Sequence, residues 1–197
     1  MKKFLALLIA LTLVCALAAG CGTPKLTGTH IVDIVVKDYG TITVELNGDA
    51  APITVGNFVD LAKNGFYDGL TFHRIMEGFM MQGGDPEGTG MGGSDRTIKG
   101  EFLANGVANP ISHTRGTISM ARNSISMDSA SSQFFIMHED DTRLDGQYAA
   151  FGHVIEGIEV VDAICKAAKP YDMNGSIRPE NQPVIESITV RETGTAS

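Results

Sequence analysis

The chain has 197 residues, 43% of them hydrophobic, with 23 glycines and a formal net charge of −8. That length allows one domain with a sizeable core, and the glycine content favours short strands and many turns. No block of basic residues is present, which argues against a nucleic-acid partner.

The chain opens with "MKKFLALLIALTLVCALAAGC": two lysines, an apolar run from Phe4, then small residues before Cys21. This is the pattern of a secretory signal. The apolar run is about 16 residues, short of the ~20 that span a bilayer. "LAAGC" resembles a bacterial lipobox, in which the thiol is acylated and the chain is cut just before it. Residues 1–20 are therefore expected to be a signal peptide and 21–29 a lipidated cysteine and tether. The domain, 30–197, would then sit on the extracytoplasmic face of the cell membrane. Loss of Lys2 and Lys3 takes the net charge from −8 to −10. Cys15 falls in the discarded peptide and Cys21 carries lipid. Cys165 is left alone, so no intramolecular disulfide is expected. Its place in a helical apolar pattern predicts a buried, inert thiol.

"HIVDIVVK" (30–37) and "TITVELN" (41–47) alternate and are joined at "DYG", which predicts a β-hairpin. In "APITVGNFVDLAKNGFYDG", Val55, Phe58, Val59 and Ala62 mark a helical face, with Thr54 as N-cap and Gly65 as stop. Short apolar segments follow: "LTFHRI", "FMMQGG", "GTISMA", "SQFFIM" and "AAFGHV". A second helical face lies in "GIEVVDAICKAA", and "PVIESITVRE" closes the domain as a strand. About eight strands and two helices predict a mainly β closed barrel or sandwich. The adjacent Phe134 and Phe135 must point to opposite faces of their strand.

"FHRIMEGFMMQGGD" (72–85) sets Arg74 and Gln82 among Phe79, Met80 and Met81. Alternation puts Met80 and Gln82 on one face, and Phe79 joins them if Gly78 bends the strand entry. His73 and Arg74 are expected to face apart. An apolar surface with one arginine suits a hydrophobic ligand with one polar atom to be addressed. The chain has no HExxH, no paired-cysteine site and no GxSxG elbow, so neither zinc nor a serine nucleophile is expected. "GGDPEGTGMGG" (83–93) lacks the ending of a phosphate loop and reads as a flexible surface loop.

"FHRIMEGFMMQGGD", "GTISMAR", "SSQFFIM" and "LDGQYAAFG", in this order and spacing, resemble the cyclophilins, the peptidyl-prolyl cis–trans isomerases. The resemblance spans about residues 30–191, and "MAR" and "SASSQFF" look like its prokaryotic branch. It implies an eight-stranded antiparallel β-barrel capped by two helices, with the site on the outer wall. By that resemblance Arg74 matches the catalytic arginine. Phe79, Met80, Phe135 and Leu144 match the walls of a proline pocket, and Gln82 the glutamine beside the arginine. Ala121 and Arg122 match residues that touch the peptide backbone. Gln133, Tyr148 and His73 match further site positions. Phe135 would then be pocket floor and Phe134 barrel core.

Two positions depart from the drug-sensitive pattern: Arg143 stands where those members have tryptophan, and Tyr148 where many have histidine. The loop "NSISMDSA" (123–130) looks slightly longer than its eukaryotic counterpart. The implied partners are proline-containing polypeptides, with a monomer expected and no cofactor. A proline-binding module or holdase with incidental catalysis is the alternative reading.

Overall fold

The computed structural model describes residues 24–191. The expected signal peptide, the expected lipidated Cys21 and the last six residues lie outside them. These residues form eight strands and two α-helices: β1 (Thr29–Val36), β2 (Gly40–Asn47), α1 (Pro52–Lys63), β3 (Thr71–Met76), β4 (Met80–Asp85), β5 (Thr117–Met120), β6 (Phe134–Met137), β7 (Ala150–Glu156), α2 (Ile158–Ala167) and β8 (Ile185–Val190). They form one antiparallel sheet in the order β3-β4-β6-β5-β7-β2-β1-β8. The sheet curls until its edges meet in a short seam. There Gly69 N–H donates to the Ile185 carbonyl, Ile185 N–H to Leu70 and Phe72 N–H to Pro183, at 2.8–2.9 Å.

The hairpin alternates as its sequence predicts: Val32, Ile34, Val36, Ile42, Val44 and Leu46 all face the core. Helix α1 covers β8 and β2 with Val55, Phe58, Val59 and Ala62, while α2 packs on β2 and β4. Val161, Ile164 and Cys165 are the most deeply buried residues of α2. Burial pushes the Cys165 thiol up to about 12, which leaves it un-ionised and inert.

Thr54 is not the N-cap. Helix α1 starts at Pro52, behind Ala51, with no local side-chain cap. The cap comes from Glu101, distant in sequence and only 3% exposed. Its Oε1 accepts from Ile53 N–H at 3.0 Å, and its Oε2 from Thr54 N–H at 2.8 Å and Thr54 Oγ1–H at 2.7 Å. A carboxylate at a helix N-terminus meets both the orphan donors and the positive end of the dipole. Glu101→Ala is expected to cost about 1–3 kcal/mol, read as a lower denaturant midpoint at unchanged slope. A parental midpoint would show that the cap contributes nothing.

Residues 24–28 are not a free tether. Leu26 N–H donates to the Pro52 carbonyl at 3.0 Å, and Gly48 N–H to Gly28 at 2.8 Å. The Leu26 side chain packs against the core. A Cβ at Gly56 would run into the Pro24 carbonyl, and one at Gly48 into Leu26. Two glycines thus open the track in which this segment lies.

Candidate active site

The side chain of Arg74 reaches the outer wall through a register shift. Phe72 and Ile75 are both fully buried, three residues apart, so β3 does not alternate simply. Phe72 pairs with Gly83 and Arg74 with Gln82, which leaves His73 as the extra residue of a bulge. Without it, Arg74 would share the inward parity of Phe72. Bulges beside functional sites commonly re-aim a side chain in this way. Gly83 makes room for it: a Cβ there would lie 2.7 Å from the Thr71 carbonyl and 2.9 Å from the Phe72 ring.

On the outer wall Met80, Phe135 and Met137 form a second apolar cluster, separate from the barrel core, with Met76, Phe79, Ala121, Leu144 and Tyr148 packed against it. Phe134 and Met81 belong to the barrel core instead. Strand β6 is therefore buried on both faces. Phe79 joins the outer cluster from the turn before β4, where Gly78 has φ +80°.

Arg74, Phe79, Met80, Gln82, Ala121, Arg122, Phe135, Leu144 and Tyr148 surround one recess of about 130 Å³. That is well below the ~300–1,000 Å³ of drug-sized sites and suits one small ring. A second recess beside it, about 220 Å³, shares Gln82, Ala121 and Arg122 and adds Gln133 and the 90–92 backbone. His73 lines neither. It is 5% exposed, and neither ring nitrogen has a hydrogen-bond partner. Burial pulls its imidazole below the ordinary range, against the opposing charge of Asp85. In this structure His73 is a buried bulge residue and not a wall of either recess.

The Arg74 guanidinium is held from several sides. Nε donates to the Asn174 carbonyl at 2.7 Å and Nη1 to Gln82 Oε1 at 3.2 Å. The Met76 sulfur lies 3.3 Å from Nη2. Burial pulls Arg74 below its usual range, but a guanidinium remains charged at any working pH. Gln82 is oriented in turn. Gln133 Nε2 donates to the Gly90 and Gly92 carbonyls at 3.1 and 2.7 Å, which turns its Oε1 to accept from Gln82 Nε2 at 2.8 Å. Backbone carbonyls can only accept, so the polarity of the whole chain is set, and Gln82 must present oxygen to Arg74.

The 83–93 stretch is consequently not a flexible surface loop throughout: residues 83–85 end β4, and the turns after them are held in place. Asp85, 1% exposed, accepts from the N–H groups of Glu87, Thr89 and Gly90 at 2.6–3.0 Å. Burial would raise its carboxyl, but these bonds prevail and hold it below the usual carboxylate range. The Asp85 carboxylate thereby fixes the carbonyls that Gln133 needs.

The Arg122 side chain is likewise occupied. Its guanidinium lies 5.3 Å from the Phe102 ring centre and 4.9 Å from that of Tyr148, and Nε donates to the Gln147 carbonyl at 3.0 Å. Arg143 stands apart, almost fully exposed and paired with Asp141 at 2.7 Å. Met76, Asn174 and Phe102 were not singled out from sequence. Only the fold brings their segments to the site.

A family model for "Cyclophilin type peptidyl-prolyl cis-trans isomerase/CLD" matches residues 31–190. Peptidyl-prolyl cis-trans isomerase B of Bacillus subtilis (strain 168) is 48% identical over 125 residues, which cover 64% of this chain and 83% of that protein. The peptidyl-prolyl cis-trans isomerase of Helicobacter pylori (strain J99) is 47% identical over 132 residues, 66% of this chain and 78% of that one. Among solved structures, a cyclophilin type peptidyl-prolyl cis-trans isomerase of Cryptosporidium parvum, crystallised in the presence of the dipeptide Ala-Pro, superposes with a TM-score of 0.72. It is 31% identical, and the match covers 82% of this chain and 98% of that one. The chain belongs to the cyclophilin-type peptidyl-prolyl cis-trans isomerases and is an enzyme of that class.

Proposed function

We propose that this isomerase serves the folding of exported proteins, and that Arg74 carries the catalysis by stabilising a twisted prolyl amide. Turning an amide out of plane costs ~18–20 kcal/mol because resonance is lost. In the twisted state the prolyl nitrogen regains a lone pair and accepts a hydrogen bond, which a planar amide nitrogen barely does. A donor placed at that nitrogen binds the transition state more tightly than either isomer. The observation that carries this reading is the Arg74 guanidinium, fixed at the rim of a small recess walled by apolar side chains, while the Arg122 guanidinium beside it is taken up by Phe102, Tyr148 and the Gln147 carbonyl. Phe79, Met80, Phe135, Leu144 and Tyr148 grip the proline ring, and the segment around Ala121 and Arg122 holds the preceding residue. The Ala-Pro dipeptide used with the Cryptosporidium protein supports proline-containing polypeptides as substrates. The test is a proline-peptide isomerisation assay on the parent and Arg74→Ala. Equal rates would remove Arg74 from the mechanism.

The sequence ahead of the domain supports export as a lipoprotein of the prokaryotic branch. Among the described residues no helix is long and apolar enough to cross a membrane. The lipobox makes a lipid on Cys21 the attachment, with only Gly22 and Thr23 between it and the docked segment. Three residue steps reach at most about 11 Å, so the domain would stand closer to the bilayer than a free tether allows. Cys21→Ser is expected to move the protein from the membrane to the soluble fraction. Unchanged retention would rule out Cys21 as the anchor.

A further inference from the structure

Packed against Phe135 is a buried histidine with no part in the proposed chemistry. The His113 side chain has no exposed surface. Its ring stacks on Phe135, with centroids 6.0 Å apart and planes at 17°, and meets Tyr148 edge-on at 6.5 Å. Nδ1 is 2.8 Å from Asp145 Oδ1, and Nε2 is 3.0 Å from Ser119 Oγ. A carboxylate only accepts, so Nδ1 bears the proton and donates to Asp145. Burial pulls the imidazole below its ordinary range, against the opposing bond and charge of Asp145, so the ring is neutral at neutral pH. Nε2 is then an acceptor, and Ser119 Oγ–H donates to it.

Both partners of this imidazole sit directly beside residues that line the recess. Ser119 pairs across the sheet with Phe135, the floor. Asp145 follows the 142–144 turn that carries Leu144, and it accepts further bonds from the His113 N–H at 2.7 Å and Ser112 Oγ–H at 2.6 Å. The Asp141 N–H at the other end of that turn donates to the His113 carbonyl. Residues 141–149 belong to no strand, so their place relative to the floor depends on such ties.

We infer that His113 is a positioning residue of the proline pocket, joining its floor on β5 and β6 to its wall at Leu144 and Tyr148. It does not line the recess and touches no substrate. A flat ring with directional bonds at two corners and an apolar face does this in one side chain. The inference rests on the reading of the recess as a proline pocket.

The test measures KM and kcat for a proline peptide on the full chain, for the parent, His113→Phe and Asp145→Asn, with Arg74→Ala as reference. His113→Phe keeps the stacked face and removes both side-chain bonds. Its KM is expected to rise about tenfold with kcat within about twofold, because loosened walls lose binding shared by ground and transition states. Asp145→Asn keeps an acceptor without its charge, on a side chain at the surface, and is expected to raise KM about threefold. NMR of Phe135 is expected to show faster ring flipping in both. If His113→Phe does not fold, Asp145→Asn decides. Parental KM and parental ring flipping in the folded variants, whatever their melting points, would overturn the inference. If instead Arg74→Ala retains the parental rate, the reading of the recess fails, independently of the histidine variants.

Discussion

Replacing Arg74 with alanine is expected to lower kcat for a proline peptide by about 10²–10³-fold, the usual effect of removing one preorganised transition-state donor. KM should move far less, because a planar prolyl nitrogen offers the guanidinium almost nothing to bind. Stability should change by roughly 1 kcal/mol or less, since the side chain is only partly buried and its partners can turn to water. Arg74→Lys is a sharper case. An ammonium keeps the charge but cannot satisfy the Asn174 carbonyl through Nε and Gln82 Oε1 through Nη1 at once. If fork geometry matters, lysine should be nearly as impaired as alanine. If lysine restores most of the rate, charge alone suffices, and the orienting chain through Gln82 and Gln133 is incidental.

The second large effect separates two neighbours on β6. Phe134→Ala should cost about 3–5 kcal/mol, a substantial part of the ~5–15 kcal/mol that holds a typical domain. Phe134 meets Phe58, Tyr67 and Phe72 edge-on, with centroids 5.4–5.9 Å apart, so its loss leaves a cavity among rigid rings that cannot close around it. Phe135 is 4% exposed and also buried, but beside an open recess, against His113 and Tyr148. Phe135→Ala enlarges that recess and admits water, which should cost less stability and more activity. Thermal melts and kcat/KM on both variants decide. The expected order is Phe134 worse in the melt and Phe135 worse in the assay, and the reverse order would place the substrate elsewhere.

Much of the fold was legible because its signals are local. Alternation in 30–37 and 41–47 marks the first hairpin, and the spacing of Val55, Phe58, Val59 and Ala62 marks α1. The paired phenylalanines announce a strand with two apolar faces, and those faces belong to two separate clusters. The residues around the recess were legible chiefly through the resemblance, since Phe79, Ala121 and Leu144 follow no shared period. Where local rules led astray, the deciding partner lay far along the chain. Thr54 is the right residue type for an N-cap, but Glu101 supplies the bonds. Residues 24–28 have the composition of a tether, but Gly48 and Gly56 open a track for them. The glycine-rich loop looks unconstrained until Gln133, on a distant segment, is seen to bond its Gly90 and Gly92 carbonyls.

The sequence by itself determined the run of strands and helices and the apolar character of both faces of β6. These follow from side-chain period and residue chemistry, which neighbours in the chain suffice to express. The tertiary structure alone decided where Arg74 points and what holds it there. Strict alternation would send it inward with Phe72. The bulge at His73 sends it outward, and the bulge needs the space that Gly83 leaves on the adjacent strand. The Asn174 carbonyl and the Gln82–Gln133 chain then fix the guanidinium from segments up to 100 residues away. Direction and restraint of this kind arise from steric fit and hydrogen-bond polarity between strands, which no local period encodes.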